Sequence, residues 1–420
     1  MPNNATPNTA MPKIVSVDDH VIEPPNLWSS RLPAKWRDVG PRVERRRIES
    51  VRMVPPGTYE LELSDDGAPA DCWLYEDRVV YVHKSHVVIP KDAIPNGDIW
   101  KFDKSKMDLD CITYDDMWPA CYEPKLRVQD MLAAGVDGSL GFPTMPRFCG
   151  QTFYDANDKD LALACVKAYN DWMVEEWCGD SEGHLIPLCL VPLWDVQAAA
   201  AEVRRNAARG VRALAFSEIP SHLGLPSIHC GHWDPLFEAC DETRTTVCMH
   251  IGSSSKMPAT SLDAPIAVTA TLTFNNAMAS LSDYLFSGLF SRYPNLRVAY
   301  SEGQIGWIPY VLERADDVWE THDGWMHTRE RLPEPPSTYY YDHVFGCFFR
   351  DRHGLKSIYE IGVNNVTYET DYPHTDTTWP HTMEWVEKMM VGIPDEIVYK
   401  ILRGNALRML GLDENLNVVN

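Results

Sequence analysis

The stretch LIPLCLVPLWDVQAAAAEVRRNAARGVRALAF, residues 185–216, decides the architecture. It opens on an apolar run of strand length, LIPLCLV (185–191). It continues into DVQAAAAEVRRNAARG (195–210), a helical pattern that ends in Gly210, where a C-cap glycine is expected. It closes on a second apolar run, VRALAF (211–216). A strand, a helix of this length and another strand in so short a space imply a parallel crossover.

The rhythm extends in both directions. KIVSVDDH (13–20), VDGSLGF (136–142), TTVCMHI (245–251), LRVAYS (296–301), YDHVFGCFF (341–349) and NNVTYET (364–370) read as further strands. Helical patterns stand between and after them: NDKDLALACVKAYNDWMVEEW, WDPLFEACDE, QIGWIPYVLERADDVWE and, at the end, IPDEIVYKILRGNALRMLGL, punctuated by Gly404 and Gly411. Eight strands of this kind predict an α/β chain folded as a closed (β/α)8 TIM-like barrel over residues 13–420. Residues 1–12, MPNNATPNTAMP, read as a disordered lead.

Residues 36–125 lack the βα rhythm. They contain PPGTYELELSDDGAPADCWLYEDRVVYV, two alternating runs around a DDGAP turn, and then an aromatic loop with Trp100, Phe102, Tyr114, Trp118 and Tyr122. An insertion of this size after the first strand is expected to act as a lid that shapes an apolar pocket at the barrel top.

The chain has 420 residues, with 38 Lys and Arg against 60 Asp and Glu, a formal charge of −22. That excess argues against nucleic acid or an anionic membrane as the partner, since either needs a basic patch. No apolar run has the length of a membrane helix, and the N-terminus lacks the basic-then-apolar pattern of a leader. The eleven cysteines are scattered without a CxxC pair, which predicts free thiols and a cytoplasmic location. No dinucleotide or P-loop glycine pattern occurs.

In a barrel of this kind catalytic residues stand at the C-terminal ends of strands. Strand one ends in Asp18-Asp19-His20, with Glu23 just beyond; strand five in His250; strand six in Glu302; strand eight in Glu369-Thr370-Asp371, followed by His374. Side chains alternate along a strand, so Asp18 and His20 face one way and Asp19 the other. Carboxylates and imidazoles directly after apolar strands are costly to bury unless paired or bound to a metal. Four strand ends that supply only Asp, Glu and His have the composition of a metal site. Other polar residues carry less. His381 and Asp376 lie in the proline-bounded loop after strand eight, His184 and His232 read as structural, SSSK (253–256) as a polar loop, and HCGHWD (229–234) lacks a second ligand pair.

VSVDDHVIEPPNLW (15–28), YPNLRVAYSEGQIGWIPYVLERAD (293–316) and YETDYPHTDTTWP (368–380) together resemble the ACMSD-like branch of the amidohydrolase superfamily, aminocarboxymuconate semialdehyde decarboxylase and its relatives. The resemblance implies a (β/α)8 barrel with a divalent metal, held here by Asp18, His20, His250 and Asp371. Asp18 stands at the first position of the branch's HxH pair, where acidic residues also occur. Where the branch keeps a catalytic histidine after strand six, this chain has Glu302. That residue is either a general base or a ligand to a second ion.

Asp18, His20, Glu23, His250, Glu302 and Asp371 make four carboxylates and two imidazoles, the donor set of carboxylate-bridged di-iron sites. In this respect the chain resembles the amidohydrolase-fold non-haem di-iron monooxygenases of platensimycin and platencin biosynthesis. That resemblance implies two iron ions, O2-dependent hydroxylation of an apolar diterpenoid small-molecule substrate carried as a CoA thioester, a ferredoxin-type electron donor and a homodimer. The alternative is a hydrolase or non-oxidative decarboxylase with one Zn or Mn ion, in which Glu302 or His374 moves protons. A barrel that merely binds a ligand ranks last.

Overall fold

A computed structural model describes residues 11–54, 58–84 and 88–419. The first ten residues of the expected disordered lead, and the PPG at 55–57, lie outside the described residues.

The eight expected strands are present: β1 Ile14–His20, β2 Val136–Phe142, β3 in two pieces (Leu185–Ile186 and Leu188–Cys189), β4 Ala213–Phe216, β5 Thr246–His250, β6 Val298–Ser301, β7 Val344–Phe348 and β8 Val366–Tyr368. Pro187 interrupts β3 because proline has no N–H to give to the ladder. The first piece pairs with β2 and the second with β4, so the break lets one strand bridge two neighbours. All pairings from β1 through β8 are parallel. Two backbone hydrogen bonds close the ring between its ends: Asp371 N–H donates to the Asp18 carbonyl at 3.0 Å, and His20 N–H to the Tyr372 carbonyl at 2.8 Å. The fold is therefore a (β/α)8 barrel, and its closing seam joins two of the strand ends that carry candidate ligands.

Crossover helices stand where the sequence places them. Val196–Ala207 is capped by Asp195, whose carboxylate accepts from the N–H groups of Gln197 and Ala198, both at 3.0 Å. Gly210 follows that helix at φ +90°, the left-handed turn that leads into β4. Barrel strands and helices share one continuous apolar core, in which Trp28, Trp177 and Trp233 are fully buried.

The insertion contains the two expected β runs and two further strands. It contains an antiparallel sheet of four strands in the order Thr58–Leu63, Arg42–Val54, Ala68–Tyr75, Arg78–Tyr81. The runs on either side of DDGAP do not form a hairpin; they pair with opposite edges of the long strand Arg42–Val54. The chain passes over that strand at Gly67, where a Cβ would fall 2.5 Å from the carbonyl carbon of Ile48, so only glycine allows the crossing. The long strand is charge-rich and mostly exposed, and its arginines pair with Glu44, Asp71, Asp115 and Glu60.

The insertion is tied to loops at the C-terminal ends of the strands. Tyr114 Oη donates to the Glu23 carbonyl at 2.7 Å, Lys104 Nζ to the carbonyls of Thr375 and Thr377 at 3.2 and 2.6 Å, and Arg78 to the Thr152 carbonyl at 2.9 Å. Phe102 packs against Trp379 with ring centroids 5.5 Å apart. The aromatic loop is not uniformly lining: Trp100 is exposed. The eleven cysteines are all free. No helix of the described residues is long and apolar enough to cross a membrane.

Asp19 clamps the seam. Its buried carboxylate accepts from the hydroxyls of Ser139 on β2 and Thr370 after β8, and from Tyr372 N–H at 3.0 Å. Asp19→Ala strands three buried donors and is expected to destabilise the fold by about 3 kcal/mol. A shift of the urea midpoint to lower concentration checks this, and an unchanged midpoint refutes it.

Candidate metal centre

Alternation along β1 sends Asp18 and His20 into the barrel mouth while Asp19 turns into the seam. His250 enters from the end of β5, Glu302 from the residue after β6, and Asp371 and His374 from the loop after β8. Two groups of candidate ligands form, Asp18, His20 and His250, and His20, Glu302, Asp371 and His374. Within each group one donor atom per residue lies within 4.8 Å of all the others, and His20 belongs to both.

Donor atoms about 2.1 Å from one tetrahedral ion stand roughly 3.4 Å apart. The observed separations match: His20 Nε2 to His250 Nε2 3.2 Å, His250 Nε2 to Asp18 Oδ2 3.4 Å, His20 Nε2 to Asp371 Oδ1 3.4 Å and His20 Nε2 to Asp18 Oδ1 3.7 Å. Both oxygens of Asp18 are buried without a hydrogen-bond donor among the described residues. A cation would satisfy them, so these residues fit a divalent metal.

The second group completes the site. His374 Nδ1 lies 3.0 Å from Asp371 Oδ1, and its ring stacks on His20 at 3.5 Å between centroids. Glu302 Oε2 lies 3.7 Å from His250 Nε2. Exposure separates two kinds of residue. The side chains of Asp18, His20, His250 and Asp371 are 0–1% exposed, whereas Glu302 and His374 keep 13% and 12%.

Surrounding groups fix the orientation of the ligands. His250 Nδ1 is 2.6 Å from the Ile251 carbonyl, so Nδ1 carries the proton and the Nε2 lone pair faces the cluster. Phe148 stacks on the same ring at 4.1 Å. The buried Arg127 donates to the His20 carbonyl at 2.8 Å and lies over the Tyr372 ring. Asp371 and Glu302 both adopt left-handed backbone, φ +52° and +55°, a conformation uncommon for non-glycine residues and often found at functional sites.

Charge is uncompensated throughout. Burial, and then the neighbouring Glu369, Glu302 and Asp371, pushes the Asp18 carboxyl well above the usual range. Burial does the same to Glu302 and Asp371, reinforced by their carboxylate neighbours. Burial pulls His20 well below its usual range and lowers His250 and His374 to about 3. Acids and bases alike are driven toward neutrality, as expected where a cation is the missing partner.

One expected ligand lies elsewhere. The sequence reading placed Glu23 at the metal, but its two oxygens accept from the N–H groups of Thr144 and Met145, each at 3.0 Å, and it joins neither ligand group. Proximity to a strand end does not reveal that these two amides reach it first. Conversely, Glu218 at the end of β4 and Glu369 after β8 are fully buried carboxylates near the site that went unassigned. Glu369 directly follows an apolar strand and Glu218 stands two residues beyond one, the signal that singled out the others. In HCGHWD, His229 pairs with Asp283, Cys230 is exposed, and no member joins a ligand group. Asp376 pairs with Arg350, and His184 with the Asp137 carbonyl.

A closed parallel barrel with His and carboxylate ligands gathered at its C-terminal face defines a metal-dependent barrel enzyme. Comparison with known proteins gives the family. The amidohydrolase family model matches residues 70–412, and the chain belongs to that family. It is 24% identical over 318 residues to 2-amino-3-carboxymuconate-6-semialdehyde decarboxylase of Dictyostelium discoideum, covering 74% of this chain and 83% of that one. It is 24% identical over 315 residues to gamma-resorcylate decarboxylase of Rhizobium sp. (strain MTP-10005), covering 71% and 91%. Its fold resembles an amidohydrolase from Mycobacterium avium subsp. paratuberculosis K-10, with TM-score 0.68, 21% identity and coverage of 96% and 100%. It also resembles 5-carboxyvanillate decarboxylase of Novosphingobium aromaticivorans, solved with manganese, with TM-score 0.56, 20% identity and coverage of 70% and 82%.

The pH dependence of the metal-free protein follows from the raised acids. Burial lifts Glu23 and Glu369 to about 7 from an ordinary 4.5. Between those values the folded state holds protons the unfolded chain has released, so stability falls as pH rises. The lowered histidines act oppositely, but only below their ordinary 6.5. From pH 6.5 to 8 the metal-free protein is therefore expected to lose melting temperature, and added Mn2+ or Zn2+ is expected to raise it most at pH 8. Thermal scans with and without chelator check this; a flat profile with no metal response counts against the site.

Proposed function

We propose that the chain is a metal-dependent, non-oxidative decarboxylase of aromatic or conjugated carboxylic acids. The observation that carries this reading is the fully buried quartet of Asp18, His20, His250 and Asp371, linked through His20, with the partly exposed Glu302 and His374 beside it. The curated relatives named above are both decarboxylases, which supports this alternative over an oxygenase. Manganese in the 5-carboxyvanillate decarboxylase structure supports Mn2+, with Zn2+ as the other choice.

Asp18, His20, His250 and Asp371 would hold the ion, which when bound supplies positive charge to orient and polarise an anionic substrate. Glu302 delivers a proton to the carbon that bears the carboxylate. The carbon–carbon bond then breaks, its electron pair returns to the substrate framework, and CO2 departs. The Glu302 carboxylate regains a proton from solvent, with His374 at the mouth as the relay. Water need not enter the reaction, and His20 lies buried against the ring of the half-buried Phe148.

A second reading has its own observation. The group His20, Glu302, Asp371 and His374 overlaps the first at His20, so the site offers donors for a second ion. That supports a two-metal reading, the di-iron monooxygenase; its apolar, CoA-linked diterpenoid substrate and ferredoxin-type donor follow only from the sequence resemblance.

Metal content and oxygen dependence separate the two. The decarboxylase is expected to hold one ion per chain and to release CO2 anaerobically from a panel of hydroxylated benzoates that includes γ-resorcylate. Glu302→Gln is then expected to slow turnover by roughly 10² to 10⁴ without loss of metal. Two irons per chain, a strict need for O2 and reductant, and a fall toward one iron in Glu302→Gln would establish the oxygenase instead.

A further inference from the structure

Asp371 and Glu302 reach the site from left-handed backbone, but they are held there differently. Asp371 N–H donates to the main-chain carbonyl of Asp18 at 3.0 Å, an anchor that no substitution at position 18 removes. Glu302 N–H donates at 3.0 Å to a side chain, Glu369 Oε2. The same carboxylate accepts from the Cys347 thiol at the end of β7. Glu369 is 0% exposed, and its other oxygen, Oε1, is buried without a hydrogen-bond donor among the described residues. A buried carboxylate is an expensive way to provide one acceptor. Nothing in the barrel closure needs it, since β6, β7 and β8 already pair through their backbones.

We propose that Glu369 is a positioning residue that holds the Glu302 backbone in its left-handed conformation and so aims the Glu302 carboxylate into the metal site. Glu302, Gly303 and Gln304 form a buried to half-buried turn in which the residues at 302 and 304 are both left-handed, φ +55° and +53°. With no acceptor beneath it, the Glu302 N–H would be left unpaired at the barrel mouth. Relaxing to the ordinary right-handed or extended region would turn that N–H toward solvent and swing the side chain away from His250. Glu369 joins neither group of candidate ligands. Its carboxyl also lies against the Asp18 side chain, but its contact with Glu302 is to the backbone N–H, and it is through that bond that it acts on Glu302. The catalytic consequence rests on the function proposed above, whereas the effect on the Glu302 backbone does not.

The test uses Glu369→Leu and Glu369→Met, which fill the volume without an acceptor, and Glu369→Gln, whose amide oxygen still accepts. Crystal structures are expected to show Glu302 outside the left-handed region in the Leu and Met variants and inside it in the Gln variant. Metal content by elemental analysis is expected to stay at the wild-type level in all three. CO2 release is expected to fall about 10- to 100-fold in kcat for Leu and Met, with KM within about threefold, and to recover in Gln. Glu302→Gln with Glu369→Leu is expected to be no slower than Glu302→Gln alone. A left-handed Glu302 with its carboxylate unmoved in Glu369→Leu or Glu369→Met overturns the proposal, as do losses that multiply in the double variant. If the wild type releases no CO2 from any acid, the function proposed above fails, and the crystal structures alone decide the role of Glu369.

Discussion

Like charge gathered out of water is the constraint on which the site depends. Asp18, Glu302, Glu369 and Asp371 converge in a region where Asp18, Glu369 and Asp371 are fully buried. Glu302, Glu369 and Asp371 all raise the proton affinity of Asp18, and Glu369 raises that of Glu302 and Asp371 as well. Two unpaired carboxylates at this depth would cost several kcal/mol apiece, a large fraction of the stability of a typical domain. Three imidazoles offer no relief, because burial keeps His20, His250 and His374 neutral. The arrangement persists only if positive charge arrives from outside the chain or protons are retained inside it.

The barrel is built to keep these groups in place against their own repulsion. Its closing hydrogen bonds, Asp371 to Asp18 and His20 to Tyr372, run between candidate ligands and their chain neighbours, so the seam and the site stabilise each other. Asp19 pins the seam from the opposite face of β1. Arg127 lies behind β1 on the His20 carbonyl, a buried cation that offsets part of the negative field without entering the metal site. The insertion braces the loops that follow β1, β2 and β8, which carry or flank Glu23, Thr144 and His374.

Much of this was legible in the sequence, and the failures have physical reasons. Apolar runs bounded by polar residues located all eight barrel strands, because strands buried on both faces read as continuous hydrophobic stretches. The long strand Arg42–Val54 escaped because its exposed faces are charged and its only fully buried side chain is Ile48. How the two runs around DDGAP pair was not legible, because turn chemistry is local whereas the crossing at Gly67 depends on a strand not adjacent in sequence. Asp18, His20, His250, Glu302 and Asp371 come together at the mouth because strand ends in a barrel converge. Glu23 does not, since its partners are backbone amides of a distant loop that leave no trace in side-chain identity.

Charge balance links the two functional readings more tightly than the residue types do. One divalent ion neutralises two carboxylates, and Asp18 and Asp371 contact the imidazoles of the sealed set directly. Glu302 and Glu369 then remain, and a neutral site requires them to carry protons. A protonated carboxyl at the solvent-reaching edge, beside an ion that holds an acidic substrate, is what protonation of a carbon requires. Two divalent ions would instead neutralise all four carboxylates and leave no proton to donate. The number of metals would therefore set how many protons these carboxyls keep, one ion leaving a proton for the decarboxylase reading and two leaving none.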